Sequence, residues 1–437
     1  MYLQRIRVPD FRVLKDVDIS FEKELTPSIF PLGSLNGGGK STLLQLIFVL
    51  LHCSTHPDRV DFLKNIIEGF KIDKDSDKRV LAIIDIWNGH QSIELEFFTC
   101  KESFIKNLFV QEDFNHQDNE YFNIAFYTEL KTVQSQRENL MKERQELKNG
   151  MYRKSKELEE NQRKLEEISE KLENIKYFAK IFLESLRKNQ IIHICDIINS
   201  DDINNEILLC SFNNLDINEA TSFLSDLSNK VFLAAPISQI FLFLASNSRK
   251  SLFNTPDEND YYLELNKQKT RLTGFFTYDV LAIDVLIKSF IQARDQDFNQ
   301  AIETGEYGNN YRALLNDLNS VLINKKINAN KDLTGVNFRR YDDDVELYPE
   351  DLSHGELKKL CIYVWIKSNK IENAIVLMDE IEIAFHPDWQ YQIVRDLEEW
   401  SPSNQYILAT HSYELCQAVT PAHVKELPPK LIKPNKL

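Results

Sequence analysis

A glycine-rich segment near the amino terminus constrains the fold of this chain more than any other feature of its sequence. It reads PLGSLNGGGKST over residues 31–42, between a strand-like run (29–32) and the apolar run LLQLIFVLL. The order of strand, glycine loop and helix is typical of a loop that surrounds phosphate groups with backbone N–H donors. The positive end of the helix dipole adds to that attraction. The segment therefore predicts an α/β fold with a phosphate-binding loop.

The residue types in this segment have separate predicted roles. Lys40 would neutralise phosphate charge, and Ser41 would hold Mg²⁺. Ser34 stands where the pattern G-x-x-x-x-G-K-[ST] has its first glycine, so the start of the loop is expected to differ from the pattern. A glycine turn that only caps a core helix is the structural alternative, but such a turn does not need Lys-Ser-Thr. The predicted phosphate-binding residues are Asn36, Gly37, Gly38, Gly39, Lys40, Ser41 and Thr42.

Composition limits the class of protein. The 437 residues leave room for two or three domains, and the net charge of −15 argues against a protein that coats nucleic acid over its whole surface. A local basic groove is still compatible with that charge. The six cysteines form no C-x-x-C pair, so they are expected to be reduced core residues. The longest apolar run is too short for a bilayer, and no secretory signal is apparent, so we expect a cytoplasmic protein without a membrane partner.

The first 130 residues carry strand signals around the glycine loop. Val17, Ile19 and Phe21 alternate with polar residues, which is the period of a half-buried strand. Asn88-Gly89 lies between two β-rich runs and predicts a hairpin. Residues 1–130 are therefore expected to form a lobe that contains the phosphate-binding loop.

A heptad pattern follows this lobe over residues 131–178. Apolar residues recur every seven positions in two runs, with Asn149-Gly150 between them. The runs are offset by eleven residues, which fits either a helical hairpin or one long helix with a stutter; we favour the hairpin. A solvated helix without a partner is the structural alternative. The heptad residues are Val133, Leu140, Leu147, Leu158, Leu165 and Leu172.

The rest of the chain divides into two further segments. Residues 179–330 read as a mostly helical insertion, in which the apolar stretch 231–245 is either a buried strand or a helix. Residues 331–437 read as a second lobe. Its acidic cluster, 342–344, is expected to be a solvated turn more often than a metal site.

A pair of carboxylates in the second lobe supplies candidate catalytic groups. The apolar strand 375–378 ends in Asp379-Glu380, so Asp379 can orient Mg²⁺ and Glu380 can activate a water molecule for attack on a phosphate. A later apolar strand ends in Thr-His-Ser, which places His411 where it can contact the terminal phosphate of a nucleotide. Each feature alone is weak, but their order favours nucleotide hydrolysis.

The order of glycine loop, long insertion, LSHGE (352–356), VLMDE and THS resembles the ABC-type ATPase heads of the structural-maintenance-of-chromosomes and DNA-repair class. It is most similar to the branch with the overcoming-lysogenisation-defect (OLD) nucleases and anti-phage defence ATPases such as those of the Septu, Gabija and PARIS systems. The spacing D-E-x-E-x-x-x-H-P-x-x-Q from Asp379 to Gln390 is its most specific part, with Ile381 where that branch often has proline. The resemblance covers residues 1–130 and 330–415. It implies an ABC-type P-loop ATPase head split by a helical, coiled-coil insertion.

The resemblance also implies a mechanism and its cofactors, ATP and Mg²⁺. Two heads would form a homodimer, or part of a higher homo-oligomer, around two ATP molecules. Ser353 and Gly355 of one head would then contact the γ-phosphate held by the other, while Glu380 and His411 would be the catalytic residues. A magnesium-sensing glutamine is expected in the first lobe. Its weak candidates are Gln111, Gln134 and Gln136.

The resemblance allows more than one partner. Only residues 412–437 follow His411, too few for the nuclease domain of OLD-type and Gabija-type proteins. We therefore expect an ATPase that acts as the sensor or scaffold of a bacterial anti-phage system and controls a separate nuclease or toxin. The alternative is a DNA-repair ATPase that clamps nucleic acid directly. A transporter subunit is disfavoured because a long insertion separates the two halves of the nucleotide site.

Overall fold

The chain has an α/β fold in which a parallel sheet and an antiparallel sheet enclose a layer of helices, so the predicted fold class is confirmed. In the part of the chain that the structure describes, none of the helices combines the length and apolar character needed to cross a membrane. The computed structural model describes residues 1–34, 37–110, 141, 155–197, 206–245, 249, 267–278, 282–348 and 351–427.

The strands and helices of these residues are numbered in chain order. The strands are β1 (Tyr2–Phe11), β2 (Leu14–Ser20), β3 (Ile29–Gly33), β4 (Lys78–Trp87), β5 (Ser92–Cys100), β6 (Ile191–Ile197), β7 (Glu206–Asn213), β8 (Val231–Ala235), β9 (Phe275–Thr277), β10 (Lys325–Ala329), β11 (Val336–Arg340), β12 (Glu346–Leu347), β13 (Ile375–Asp379), β14 (Gln405–Ala409) and β15 (Lys425–Glu426). The α-helices are α1 (Lys40–Phe48), α2 (Val60–Ile67), α3 (Glu102–Val110), α4 (Ser155–Lys188), α5 (Ile217–Ser228), α6 (Ala282–Thr304), α7 (Asn310–Val321), α8 (His354–Ser368), α9 (Pro387–Trp400) and α10 (Tyr413–Gln417). A π-helical turn continues α1, and a 3₁₀ helix follows β8; they span Val49–Cys53 and Ile237–Phe243.

The parallel sheet has the strand order β15-β3-β14-β13-β8-β9. Every residue of β13 is buried, because helices cover both faces of this sheet. Ile375 and Leu377 pack on the face that α1 covers, whereas Val376 and Met378 pack on the face that α8 and α9 cover. The continuous apolar run of β13 therefore reflects burial on both sides.

The antiparallel sheet has the order β2-β1-β4-β5-β7-β6, and α1 lies between it and the parallel sheet. The predicted alternation is confirmed in β2, where Val17 and Ile19 are buried and their neighbours are exposed. The predicted hairpin is also confirmed: β4 and β5 pair up to Trp87 and Ser92 on either side of the turn that contains Asn88-Gly89. Both sheets thus pack against α1, the helix that follows the glycine loop.

The described part of residues 179–330 contains more helix than strand, as predicted, but its description as an insertion needs correction. β6 and β7 complete the antiparallel sheet, and β8 lies beside β13 in the parallel sheet. The stretch 231–245 is a strand followed by a 3₁₀ helix, so this part of the segment builds the core. Periodicity could not show this, since a short apolar run is compatible with either a strand or a buried helix.

The second heptad run lies on α4, a helix of 34 residues. Leu172 and Ile175 are buried against the outer face of the antiparallel sheet, where they join Phe98 and Leu209. This part of the heptad seam therefore packs on the chain's own sheet. The upstream heptad run and Asn149-Gly150 lie outside the described residues, so the hairpin stays a prediction.

Two smaller predictions agree with the structure. The acidic cluster 342–344 is an exposed turn after β11, with Asp343 and Asp344 paired to Arg340 and Arg339. All six cysteines are free thiols and five of them are buried, as expected for reduced core residues.

Candidate functional site

Four neighbouring strands of the parallel sheet each lead into a polar residue at the same edge. Lys40 follows β3, and His411 follows the neighbouring strand β14. The next strand, β13, ends in Asp379 and is followed by Glu380, and Gln239 follows β8. The carboxyl ends of parallel strands form a common crevice, which is where open α/β sheets bind ligands. The sheet therefore gathers residues that are far apart in the sequence into one candidate site.

The glycine loop joins β3 to α1 as predicted. Gly37 and Gly38 lie in the turn, and Lys40, Ser41 and Thr42 form the first turn of α1. Asn36 lies outside the described residues. The backbone N–H groups at the start of α1 have no partners within the helix, so they are available to an anion.

Gly39 has no room for a side chain. Its φ of 96° lies in the left-handed region, and a Cβ atom would approach Leu14 Cδ2 to 2.7 Å and Val13 Cγ2 to 2.9 Å. Glycine at this position therefore lets the start of α1 pack directly against the turn between β1 and β2. This close packing sets the position of Lys40.

The Lys40 side chain is nearly buried, with 6% of its surface exposed. Its Nζ atom donates to the carbonyl oxygen and the hydroxyl of Ser34, both at 3.2 Å, and lies 3.0 Å from His411 Nε2. Burial lowers the pKa of Lys40, and neighbouring carboxylates limit that shift. An ammonium group can only donate, so His411 Nε2 must present its lone pair in this contact.

Asp379 is the last residue of β13 and is 1% exposed. Its Oδ2 atom accepts a hydrogen bond from Gln239, whose Oε1 in turn accepts one from Gln45 of α1 at 2.9 Å. Burial raises the pKa of Asp379, and the hydroxyl of Ser41 is the strongest of the groups that oppose the rise. The Oδ1 atom is buried and has no hydrogen-bond partner among the described residues.

Buried carboxylate oxygens normally have a partner, and a metal ion is one partner that would suit Asp379 Oδ1. The Ser41 hydroxyl and the Asp379 carboxylate lie within hydrogen-bond reach of each other, and oxygen ligands are those that Mg²⁺ uses. These residues therefore fit the magnesium site that the sequence predicted.

Glu380 has an unusual backbone conformation. Its φ is 52°, and its N–H donates to the carbonyl of Ala409 in β14 at 3.0 Å. Burial raises the pKa of Glu380, and the charges of Asp379 and Glu382 raise it further. A left-handed glutamate persists only where its surroundings hold it, and such residues cluster at functional sites. A carboxylate with a raised pKa is also better suited to accept a proton.

Sequence reasoning missed two residues of this site. Glu382 is 8% exposed, and its Oε1 accepts the backbone N–H of His411 at 2.7 Å, so it fixes the turn that carries the imidazole. Gln239 contacts Asp379, whereas the three glutamines considered from the sequence lie outside the described residues. The available signals were the second glutamate of D-E-x-E and a polar residue inside the apolar stretch 231–245.

The predicted signature residues begin α8. Ser353 is exposed and forms a capping box with Glu356, in which each side chain binds the backbone N–H of the other residue. Gly355 is buried, and a Cβ atom there would lie 2.6 Å from the carbonyl oxygen of Ala384. Within the described part of the chain, no contact joins Ser353 to Lys40. The start of α8 is thus packed against the turn after Glu380, while Ser353 is exposed and its hydroxyl is hydrogen-bonded to Glu356.

Lys358 lies one helical turn further along α8 and is 8% exposed. Its Nζ donates to the carbonyl oxygens of Glu380 and Ile383, both at 3.1 Å, and lies 4.0 Å from the ring centroid of Tyr278. Burial lowers the pKa of Lys358 to about 7, although the charges of Glu382 and Glu380 oppose the shift. Burial also raises the pKa of Tyr278 well above its usual value, so that hydroxyl stays neutral.

The lowered pKa of Lys358 predicts how stability depends on pH. The unfolded chain keeps this lysine protonated up to a pH of about 10.4, so it binds more protons than the folded chain above pH ~7 and stability rises with pH. Between pH ~7 and ~9, the free energy of unfolding of the unmodified protein should gain about 2 kcal/mol relative to Lys358→Met. Denaturant unfolding, followed by tryptophan fluorescence at several pH values, gives the free energy of unfolding of both proteins. Parallel pH curves would show that Lys358 does not lose its proton in this range.

A protein-family model agrees with these motifs. The family described as "AAA domain, putative AbiEii toxin, Type IV TA system" matches residues 108–417, more than half of the 437 residues. The match includes β8, β13 and β14 with the residues that follow them, and it begins after the glycine loop.

Two curated relatives match short segments. "Retron Vc95 probable ATPase" of Vibrio cholerae serotype O1 biovar El Tor is 46% identical over 52 residues, 12% of this chain and 10% of that protein. "Retron Ec83 probable ATPase" of Escherichia coli is 41% identical over 46 residues, 10% of this chain and 8% of that protein. The chain thus matches a tenth or less of the length of these relatives.

Two solved structures that align with most of the chain are distant from it in sequence. A structural-maintenance-of-chromosomes head bound to the C-winged helix domain of ScpA is 10% identical, with a TM-score of 0.39, 96% of this chain and 93% of that chain covered. The recombination mediator protein RecF-ATPrS of the RecFOR pathway is also 10% identical, with a TM-score of 0.33, and the match covers 94% of this chain and 93% of that chain. The family match covers more than half of the chain and shows that this protein belongs to the family described as "AAA domain, putative AbiEii toxin, Type IV TA system".

Proposed function

We propose that the protein binds and hydrolyses ATP with Mg²⁺ and acts as a nucleotide-dependent switch of a bacterial anti-phage defence system, where it controls a separate nuclease or toxin. The observation that carries the proposal is the meeting of Lys40, Asp379, Glu380 and His411 at one edge of the parallel sheet. The family description, which names a toxin–antitoxin system, and the similarity to retron ATPases support the defence setting.

The glycine loop would bind the phosphates of ATP. Backbone N–H groups at the start of α1 and the Lys40 ammonium supply positive charge, and Lys40 can exchange its contact with His411 for a contact with phosphate oxygen. Ser41 and Asp379 would hold Mg²⁺, which neutralises phosphate charge when bound. Gln239 would keep the Asp379 carboxylate oriented through its hydrogen bond to Oδ2.

Glu380 would take the proton of the attacking water. Its raised pKa and its fixed backbone suit that task, because burial and neighbouring carboxylates make the Glu380 carboxylate a better proton acceptor. His411 would contact the terminal phosphate, and Glu382 holds the backbone of His411 in place. Loss of that phosphate would free the imidazole and restore its contact with Lys40, which would signal the nucleotide state.

The signature residues support action between two chains. Ser353 is exposed at the amino end of α8, where helix N–H groups attract an anion, and it makes no contact with its own Lys40. In a dimer of heads, Ser353 and Gly355 of one chain would close on the ATP bound by the other. ATP binding would then favour the closed dimer and hydrolysis the open form.

Removing the Gln239 amide should impair the use of magnesium. Gln239→Ala is expected to lower the hydrolysis rate about 10- to 100-fold and to raise the Mg²⁺ concentration needed for half-maximal rate, because Asp379 loses the group that orients it. Phosphate release measured against Mg²⁺ concentration tests this, with the exposed Gln392→Ala as control. An unchanged magnesium dependence would show that Gln239 does not orient the magnesium ligand Asp379.

Purification of the tagged protein from its native host, with neighbouring genes intact, tests the defence role. Mass spectrometry of what co-elutes with and without ATP should find a stoichiometric partner with nuclease or toxin activity that changes with ATP. A tagged Lys40→Ala chain should lose the nucleotide-dependent difference. Nucleic acid alone, retained at low salt without a protein partner, would instead support an ATPase that clamps DNA.

A further inference from the structure

We propose that Lys358 is a positioning residue for hydrolysis, which couples the signature end of α8 to the backbone of Glu380. The inference rests on the proposed function, since it concerns how the start of α8 influences the carboxylate that would activate water. The contact is direct: Lys358 Nζ donates to the carbonyl oxygens of Glu380 and Ile383, both at 3.1 Å.

The turn that Lys358 holds is strained. Glu380 has a φ of 52° and Ala384 a φ of 72°, so two residues with side chains adopt left-handed conformations within five positions. Such conformations cost free energy and persist only where neighbouring groups hold them. Lys358 is one such group because it satisfies two carbonyl oxygens of this turn at once. The position of Glu380 therefore depends in part on a side chain of α8.

The same helix carries the residues that would meet the partner's nucleotide. Lys358 follows Ser353, the residue that caps α8, by five positions, so the two residues are less than two helical turns apart. Gly355, between them, packs against the carbonyl of Ala384 without space for a Cβ atom. A shift at the start of α8 is thus transmitted to the turn after Glu380 at two points.

A cavity lies beside the two hydrogen bonds that Lys358 donates. It has a volume of about 280 Å³ and lies between α8 and the turn, lined by His354, Leu357, Ile383 and Ala384 among others. Apolar side chains do not fill this space, so packing alone does not tie the two elements together here. Lys358 and Tyr278 also line this cavity, and the Lys358 Nζ atom lies 4.0 Å from the Tyr278 ring centroid.

Burying a lysine for structure alone is costly. Removing an ammonium group from water carries a penalty, and an apolar side chain of similar length would fill the same position without it. The lowered pKa of Lys358 reflects that penalty. Retention of a buried amino group that donates to the backbone of Glu380 is therefore better explained by a role in positioning.

The test compares Lys358→Met with Lys358→Arg and the exposed control Lys367→Met on the same helix. Steady-state ATP hydrolysis gives kcat and KM, and a fluorescent ATP analogue gives the affinity for nucleotide. We expect Lys358→Met to lower kcat about 10- to 100-fold with KM and affinity changed less than about twofold, because ATP binding does not involve this contact. Lys358→Arg, which can donate to both carbonyls, should recover most of the loss, and Lys367→Met should behave as the unmodified protein.

The outcomes separate this inference from the proposed function. If the unmodified protein hydrolyses ATP and Lys358→Met keeps its kcat, or if arginine rescues nothing, the positioning role is overturned while the proposed function stands. If the unmodified protein does not hydrolyse ATP, the proposed function fails. Should Lys358→Met not fold, Lys358→Gln takes its place: it keeps a donor but is too short to reach both carbonyls, so kcat should fall, and an unchanged kcat would overturn the inference.

Discussion

Replacing Glu380 with glutamine is expected to lower the rate of ATP hydrolysis about 100-fold or more while ATP still binds. The amide has the same shape as the carboxylate but cannot accept a proton from water. Since Glu380 lies beside the predicted magnesium ligand and is not the residue that Lys40 contacts, the affinity for ATP should change little. Phosphate-release kinetics and calorimetric ATP titration measure the two quantities separately.

The exposed Glu372→Gln provides a matched control, because it makes the same chemical change three residues before β13. It should hydrolyse ATP at the unmodified rate. Hydrolysis by Glu380→Gln at that same rate would show that another group activates the water, and the assignment of Glu380 would be wrong.

Lys40→Ala is expected to abolish both binding and hydrolysis. Lys40 is a nearly buried cation at the start of α1, and loss of its charge-assisted bonds to phosphate should cost about 3 kcal/mol or more, a weakening of ATP binding of at least ~100-fold. Calorimetric titration with Mg²⁺ and ATP tests this, and the exposed Lys331→Ala serves as control. ATP binding by Lys40→Ala with unmodified affinity would place the phosphates elsewhere.

The parts of the site that the sequence predicted are those in which residue type and order carry the chemistry. The segment from Gly37 to Thr42 and the pair Asp379-Glu380 could be read because each follows an apolar strand and contains groups that phosphate or Mg²⁺ needs. The departure at Ser34 also has a structural counterpart, since its carbonyl and hydroxyl both contact Lys40.

The residues that the sequence did not predict act through contacts between distant segments. Gln239 lies 140 positions before Asp379, and only the pairing of β8 with β13 brings them together. Glu382 holds His411 across 29 positions through a backbone hydrogen bond. No local sequence pattern predicts either contact, because tertiary packing determines which strands are neighbours in a sheet.

The same limit explains why the strands within residues 179–330 were not predicted. β6, β7 and β8 are short, and their apolar residues do not alternate clearly because both faces of their sheets are covered. By contrast, the helix at α4 was readable because its heptad pattern extends over many turns. Its packing on the antiparallel sheet could not be predicted, because a heptad pattern does not indicate which element the apolar residues contact.

Sedimentation of Glu380→Gln with and without Mg²⁺ and ATP tests the central claim most directly. A nucleotide-dependent pair of heads predicts the monomer mass of 51.1 kDa without nucleotide and twice that mass with ATP. Adding Ser353→Arg, which crowds the surface that would meet the partner's phosphate, should return the ATP-bound protein to the monomer. A monomer that binds ATP without pairing, or a dimer that ignores both ATP and Ser353→Arg, would contradict the account.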